Sequence, residues 1–346
     1  MKRGRIINTA ILSLLLTGCA PRVATSFWVI GTPAYSDVPG YRIIQAEGKT
    51  RHCYPVEAWC DGPWAVTYHE LHHHGVAVES EKMAYRIYFD KKQTIDVYCK
   101  RTPRLELAQS FWYPNDSLLA EGYGDDIIRV SGTVGVGTVK YWHDKLHHIE
   151  DVGERQQWIL KESSRKARIA VSDVDWTVPD GKEDDPETRT IVNLAAEYTM
   201  KAGHRDMRCD VRVSKPIEGL CTGVQTIPAK KPAPDSDTAV IVLPNGLLLA
   251  SWGTDWPVND TVKYAKETVG LGVFIPKKFA GELVHDQQNN LCLLKLQGSI
   301  SKEDYSPRYI AHFYLTCVGA TKENHPVAAS AEEWFAYLRR WAKSLK

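Results

Sequence analysis

The sequence predicts an all-β fold, a large antiparallel β-sandwich with a C-terminal amphipathic helix, on three observations. Beyond residue 60 the apolar residues alternate with a period of two, the runs are short and separated by turn residues, and a capped 3.6-residue repeat stands at the C-terminus. The clearest unit is a hairpin. Met83, Tyr85, Ile87 and Phe89 alternate with Arg86 and Tyr88, Asp90-Lys91-Lys92-Gln93 supplies a polar turn, and Ile95, Val97 and Cys99 alternate with Asp96, Tyr98 and Lys100. Similar runs recur at 127–130, 138–142, 168–171, 190–198, 210–213, 239–243, 247–251, 271–275, 291–296 and 310–316. At the C-terminus Ser330 precedes Glu333 by three, as in a capping box, and Trp334, Phe335, Leu338, Trp341 and Leu345 repeat at helical spacing. A shorter helix is expected over 262–267, and surface loops over 177–188 and 227–237.

The 346 residues are 43% hydrophobic and 25% charged, which excludes a disordered chain, a collagen and a coiled coil. Lys2, Arg3 and Arg5 precede an apolar stretch at 6–16, and Leu16-Thr17-Gly18-Cys19 then reads as a bacterial lipobox, with Cys19 as the lipidated residue. The apolar stretch is well short of the ~18 residues that a membrane span needs. The expected organisation is a lipoprotein signal peptide over 1–18, a tether over 19–38, and one β-sandwich domain with its helix over 39–346. Ala20 is not the Asp that retains lipoproteins at the inner membrane, so the expected location is the cell envelope, lipid-anchored in the outer membrane and facing the periplasm. Loss of the three leader charges leaves 40 Lys and Arg against 42 Asp and Glu, a balance that argues against nucleic acid as partner. Seven cysteines remain beyond Cys19; Cys53 with Cys60, or Cys209 with Cys221, could close short loops, and buried free thiols are the equal alternative.

Three groups of residues could carry chemistry. His69-Glu70-Leu71-His72-His73 matches the zinc-peptidase string H-E-x-x-H, but no helical repeat runs through it, so no metal or other cofactor is predicted. His73 and His74, followed by Glu79 and Glu81, form the candidate acid/base group: the two glutamates share a face on a strand, and an imidazole beside a carboxylate suits proton transfer near neutral pH. Aromatic and acidic residues form the third group, with Trp112, Tyr113, Asp125, Trp252 and Asp255 as a candidate sugar cleft and Lys263 as partner for a substrate carboxylate.

Several of these strings together resemble the DUF4861 family of secreted bacterial proteins. They are His72-His73-His74-Gly75 with Glu79 and Glu81, the run 84–94 with Asp96, Tyr123-Gly124-Asp125-Asp126, the glycine-rich 132–137, Cys221-Thr222-Gly223-Val224-Gln225, Trp252-Gly253-Thr254-Asp255-Trp256 and 331–337. The resemblance implies a galactose-mutarotase-like supersandwich and an association with enzymes that dismantle pectin and other uronic-acid polysaccharides. The expected function is therefore a lipoprotein enzyme that acts on uronic-acid-containing oligosaccharides, as lyase, hydrolase or epimerase. The alternative is a non-catalytic carbohydrate-binding lipoprotein. Its expected partners are an oligosaccharide and, through Cys19, the membrane.

Overall fold

In the computed structural model the structure describes residues 22–27, 42–46, 49–53, 71–110, 112–228, 237–301 and 307–345. The fold is all-β and every strand pairing is antiparallel. A five-stranded sheet runs β1 (Val23–Ser26), β4 (Gly75–Ser80), β5 (Met83–Tyr88), β6 (Ile95–Cys99) and β7 (Asp125–Asp126). A nine-stranded sheet runs β10 (Glu154–Glu162), β11 (Lys166–Thr177), β12 (Ile191–Lys201), β13 (Met207–Val213), β21 (Pro307–Gly319), β17 (Glu267–Pro276), β16 (Gly246–Asp255) and β15 (Asp237–Leu243), with β20 (Gln297–Ile300) also on β21. A third sheet runs β18 (Ala280–His285), β19 (Asn289–Leu294), β14 (Leu220–Gln225), β8 (Lys140–His143) and β9 (Lys145–His147), and β2 (Arg42–Ala46) pairs β3 (Lys49–Cys53) alone.

The period-two pattern explains the layering. Val76, Val78, Tyr85, Ile87 and Val97 turn one way from the first sheet and share one core with Ile169, Val171, Leu194, Val211, Phe313 and Leu315 of the nine-stranded sheet. The hairpin of β5 and β6 has the expected turn, in which Asp90 Oδ1 accepts from the Lys92 and Gln93 N–H groups at 2.8 and 2.7 Å. The other face of the nine-stranded sheet carries helix α2 (Ala331–Ser344), which follows the short α1 (Asp116–Ala120). Ser330 caps α2 by accepting from Glu333 N–H, and Trp334, Leu338 and Trp341 are its buried face. The helix lies so close that a Cβ on Gly272 would stand 2.5 Å from Leu338, so β17 needs glycine there.

Several expectations are corrected. Val23–Ser26, read as tether, is a strand paired with β4. Over the expected helix 262–267 the chain forms a turn and an irregular stretch that lead into β17 at Glu267, and 127–130 lie outside any strand. β10 escaped the alternation reading because its inward positions include Arg155 and Gln157. Each is satisfied by hydrogen bonds, Arg155 to Asp173 and Gln157 to the Ile87 carbonyl, so polar residues occupy core positions where the pattern demands apolar ones. Cys99, Cys209, Cys221, Cys292 and Cys317 are free and buried, so Cys209 and Cys221 do not pair; Cys60 lies outside the described residues. No helix among the described residues is long and apolar enough to cross a membrane.

Candidate functional site

Because the first sheet turns its apolar side chains to the core, Arg86 and Tyr88 of β5 and Asp96 of β6 stand on its opposite face. The register places Arg86 directly across from Asp96, and β7 adds Asp126 on the next strand. Arg86 Nη2 donates to both Asp96 and Asp126, its Nη1 donates to the Trp112 carbonyl at 2.6 Å, and the Tyr88 hydroxyl donates to Asp96 Oδ2 at 2.6 Å. All three members of the ion triad are almost completely buried. Burial disfavours the Arg86 cation, but the two carboxylates more than offset this and hold it charged. For Asp126 burial dominates, and with Asp96 beside it pushes the carboxyl well above the usual range despite the guanidinium.

The three histidines precede β4 as a 3₁₀ turn, not the α-helix of a zinc peptidase; His69 and Glu70 lie outside the described residues. His73 and His74 both take left-handed backbone conformations, with φ of 58° and 59°, a strain of roughly 1–3 kcal/mol each for non-glycine residues. At Gly75 a Cβ would stand 2.1 Å from the Ile87 carbonyl, so glycine is required where the turn meets β5. His72 is held by Ser26 Oγ at 2.7 Å and by the Ser110 carbonyl at 2.8 Å; because a carbonyl only accepts, Nε2 carries the proton and Nδ1 accepts from Ser26. By the same logic His73 Nε2–H donates to the Leu107 carbonyl at 2.8 Å, which leaves a buried His73 Nδ1 with no hydrogen-bond partner among the described residues. His74 is the member that reaches open space. Its ring stacks on Trp112 at 4.7 Å and 22° and meets Tyr88 edge-on at 5.7 Å.

His74, Tyr88, Asp96, Asp126, Tyr113 and Arg129 line one side of a cleft of about 220 Å³, and Pro257, Val258 and Asn259 close the other. Arg129 holds the two sides together: Nη1 donates to Asn259 Oδ1 at 3.0 Å, and Nη2 lies 3.7 Å from Asp255 Oδ2. Among the described residues no group of three or more His, Cys, Asp or Glu side chains is placed to hold a metal ion.

The structure gathers some of the predicted residues here and disperses others. His74 and Tyr113 line the cleft, Trp112 backs the His74 ring, and Asp255 stands at the rim beside Arg129. His73 is completely buried behind His74. Glu79 and Glu81 do not join the histidines. Glu79 accepts from Lys100 and from the Glu106 and Leu107 N–H groups, and so ties the backbone at 106–107 to β4. Glu81 lies past the end of β4, seven residues from His74 and therefore roughly 20 Å away along an extended strand. It is bound to Arg22 and to Gly203 N–H. Partial burial pushes its carboxyl up, but these hydrogen bonds outweigh that and hold it below its ordinary value. Asp125 is buried beside the cleft, accepting from Asp126 N–H. Trp252 belongs to the core under α2, where the alternation of β16 turns its ring toward the helix. Lys263 is half exposed and 3.3 Å from Asp116.

A family model described as a domain of unknown function, DUF4861, matches residues 52–346. The chain belongs to the DUF4861 family. No curated protein matches it. In this DUF4861 chain Tyr88, Arg86, Asp96, Asp126 and Arg129 are site residues that the motif reading passed over. A signal for three of them was present, since the hairpin's polar face already pairs Arg86 with Asp96 and sets Tyr88 beside them. Arg129 had none, because its partners are about 130 residues away in sequence.

Two expected results follow from this geometry. Glu81→Gln should leave turnover within about twofold of the parent and cost at most ~1 kcal/mol, because Arg22 is largely exposed; a loss of a hundredfold would return Glu81 to the site. Burial, reinforced by Arg86, lowers the pKa of His72 from 6.5 to about 4, so the unfolded chain takes up a proton that the folded one refuses. Stability should therefore fall as the pH drops from 6.5 toward 4, by roughly 5 °C or more in Tm, and this slope should flatten in His72→Asn. Equal slopes in both proteins would remove His72 as the cause.

Proposed function

We propose that this DUF4861 protein is an envelope lipoprotein, anchored through Cys19, that acts on uronic-acid-containing oligosaccharides by proton abstraction and elimination. The observation that carries this is the composition of the cleft: an imidazole and a phenol, His74 and Tyr88, face the same space as a guanidinium, Arg129. Elimination next to a carboxylate needs three things: a cation to bind the acid, a base to remove the adjacent carbon-bound proton, and an acid to protonate the departing oxygen. Arg129 fits the first role, and His74 with Tyr88 the other two. Hydrolysis by two carboxylates fits less well, because Asp96 and Asp126 are both committed to Arg86. The volume suits about one sugar ring, which favours attack at a chain end.

The test is incubation with pectic and glycosaminoglycan oligosaccharides, reading absorbance from new C4–C5 double bonds together with reducing ends. New absorbance is the expected result. New reducing ends without absorbance would assign hydrolysis, and binding with neither would assign the carbohydrate-binding alternative; both would overturn elimination.

A further inference from the structure

A second concavity, about 930 Å³, lies away from this cleft, between α2 and the outer face of β11, β12, β13 and β21. Its charge is one-sided. Lys82, Lys166, Lys201 and Arg340 line it, whereas of the carboxylates there Glu197 is paired with Arg168 and Arg212 and Asp210 with Arg208, and Asp206 is hydrogen-bonded to His204. Tyr314 and Trp341 border it, each almost fully buried, and among the described residues the indole N–H of Trp341 has no hydrogen-bond partner.

The N-terminal strand begins at the edge of this groove. Gly203, one of its lining residues, donates its N–H to Glu81, and the other Glu81 oxygen accepts from Arg22. Arg22 is three residues from Cys19, so the chain between them spans at most ~11 Å. A lipid on Cys19 would thus bring the bilayer to the groove's edge. His74 and the cleft lie at the other end of β4, roughly 20 Å away.

We propose that the basic groove between α2 and the nine-stranded sheet docks on an anionic phospholipid surface beside the Cys19 anchor and so holds the cleft away from the bilayer. The proposal rests on the lipoprotein part of the reading above, not on the elimination chemistry. Clustered lysines next to an acyl anchor are the second signal that makes lipid attachment stable.

The mature lipoprotein, reconstituted into vesicles of phosphatidylcholine alone or with about one third phosphatidylglycerol, tests this by amine labelling read as peptide masses. Labelling of Lys82, Lys166 and Lys201 should fall about fivefold or more in the anionic vesicles and recover in 1 M salt, with Lys263 unchanged. In Lys166→Glu/Lys201→Glu the protection of Lys82 should be lost. Equal labelling of an acylated protein in both vesicles overturns the groove assignment alone. A Cys19 peptide without acyl mass, in a protein that stays out of the vesicles, overturns the anchor and the proposal with it. Stronger protection by soluble oligogalacturonate than by phosphatidylglycerol assigns the groove to a glycan instead and overturns it as well.

Discussion

Arg86→Met should lower the unfolding free energy by roughly 3–5 kcal/mol at pH 7.5, the largest effect of any single substitution considered for this protein. The arginine is fully buried and its Nη2 is the shared donor to Asp96 and Asp126. Removing it leaves two carboxyl groups in a dry space without their shared cation and frees the Trp112 carbonyl that its Nη1 holds at 2.6 Å. The pH dependence gives the sign. Unpaired carboxyls bind protons more tightly folded than unfolded, so protonation favours the folded state and the deficit of the variant should shrink as the pH falls from 7.5 to 5. Urea denaturation at the two pH values measures this, and Arg86→Met/Asp96→Asn/Asp126→Asn should recover part of the loss. A deficit below 1 kcal/mol that does not change with pH would mean that the triad is not the keystone of this face.

Tyr88→Phe should reduce turnover of the oligosaccharide substrate by about 10²-fold to 10⁴-fold, the range for loss of a positioned proton-transfer group. The ring stays, so its edge contact with His74 is kept, and only the hydroxyl that donates to Asp96 at 2.6 Å is lost. Stability should therefore fall by no more than about 1.5 kcal/mol. The substrate should bind as before, since the guanidinium of Arg129 is untouched. A variant that folds, binds and turns over like the parent would reduce Tyr88 to a structural ligand of Asp96.

The two substitutions mark how far the sequence reaches. Period-two alternation identifies the hairpin of β5 and β6 and its polar turn because the pleat repeats every two residues whatever surrounds it. The Ser330 and Glu333 spacing identifies the start of α2 because capping is satisfied within one turn. The long ordered strings identify DUF4861 membership without any structure. β10 was illegible for the opposite reason: Arg155 and Gln157 occupy its core positions, and their partners lie on other strands and loops.

Which polar residues form the site is likewise not a local property. His74 and Glu81 look like one group in sequence, yet an extended strand carries Glu81 to the far end of the sheet, where Arg22 and Gly203 neutralise it. Glu79 is spent on Lys100 and two backbone N–H groups. Trp252, a candidate sugar platform, became core because α2 happens to cover that face of the nine-stranded sheet. By itself the sequence determined most of the strands, the C-terminal helix and the family, all of which can be read from local strings of residues. Only the tertiary structure decided that Tyr88, His74 and Arg129 share a cleft, because burial and pairing across some 130 residues of chain settle which charges are used up in holding the fold and which face open space.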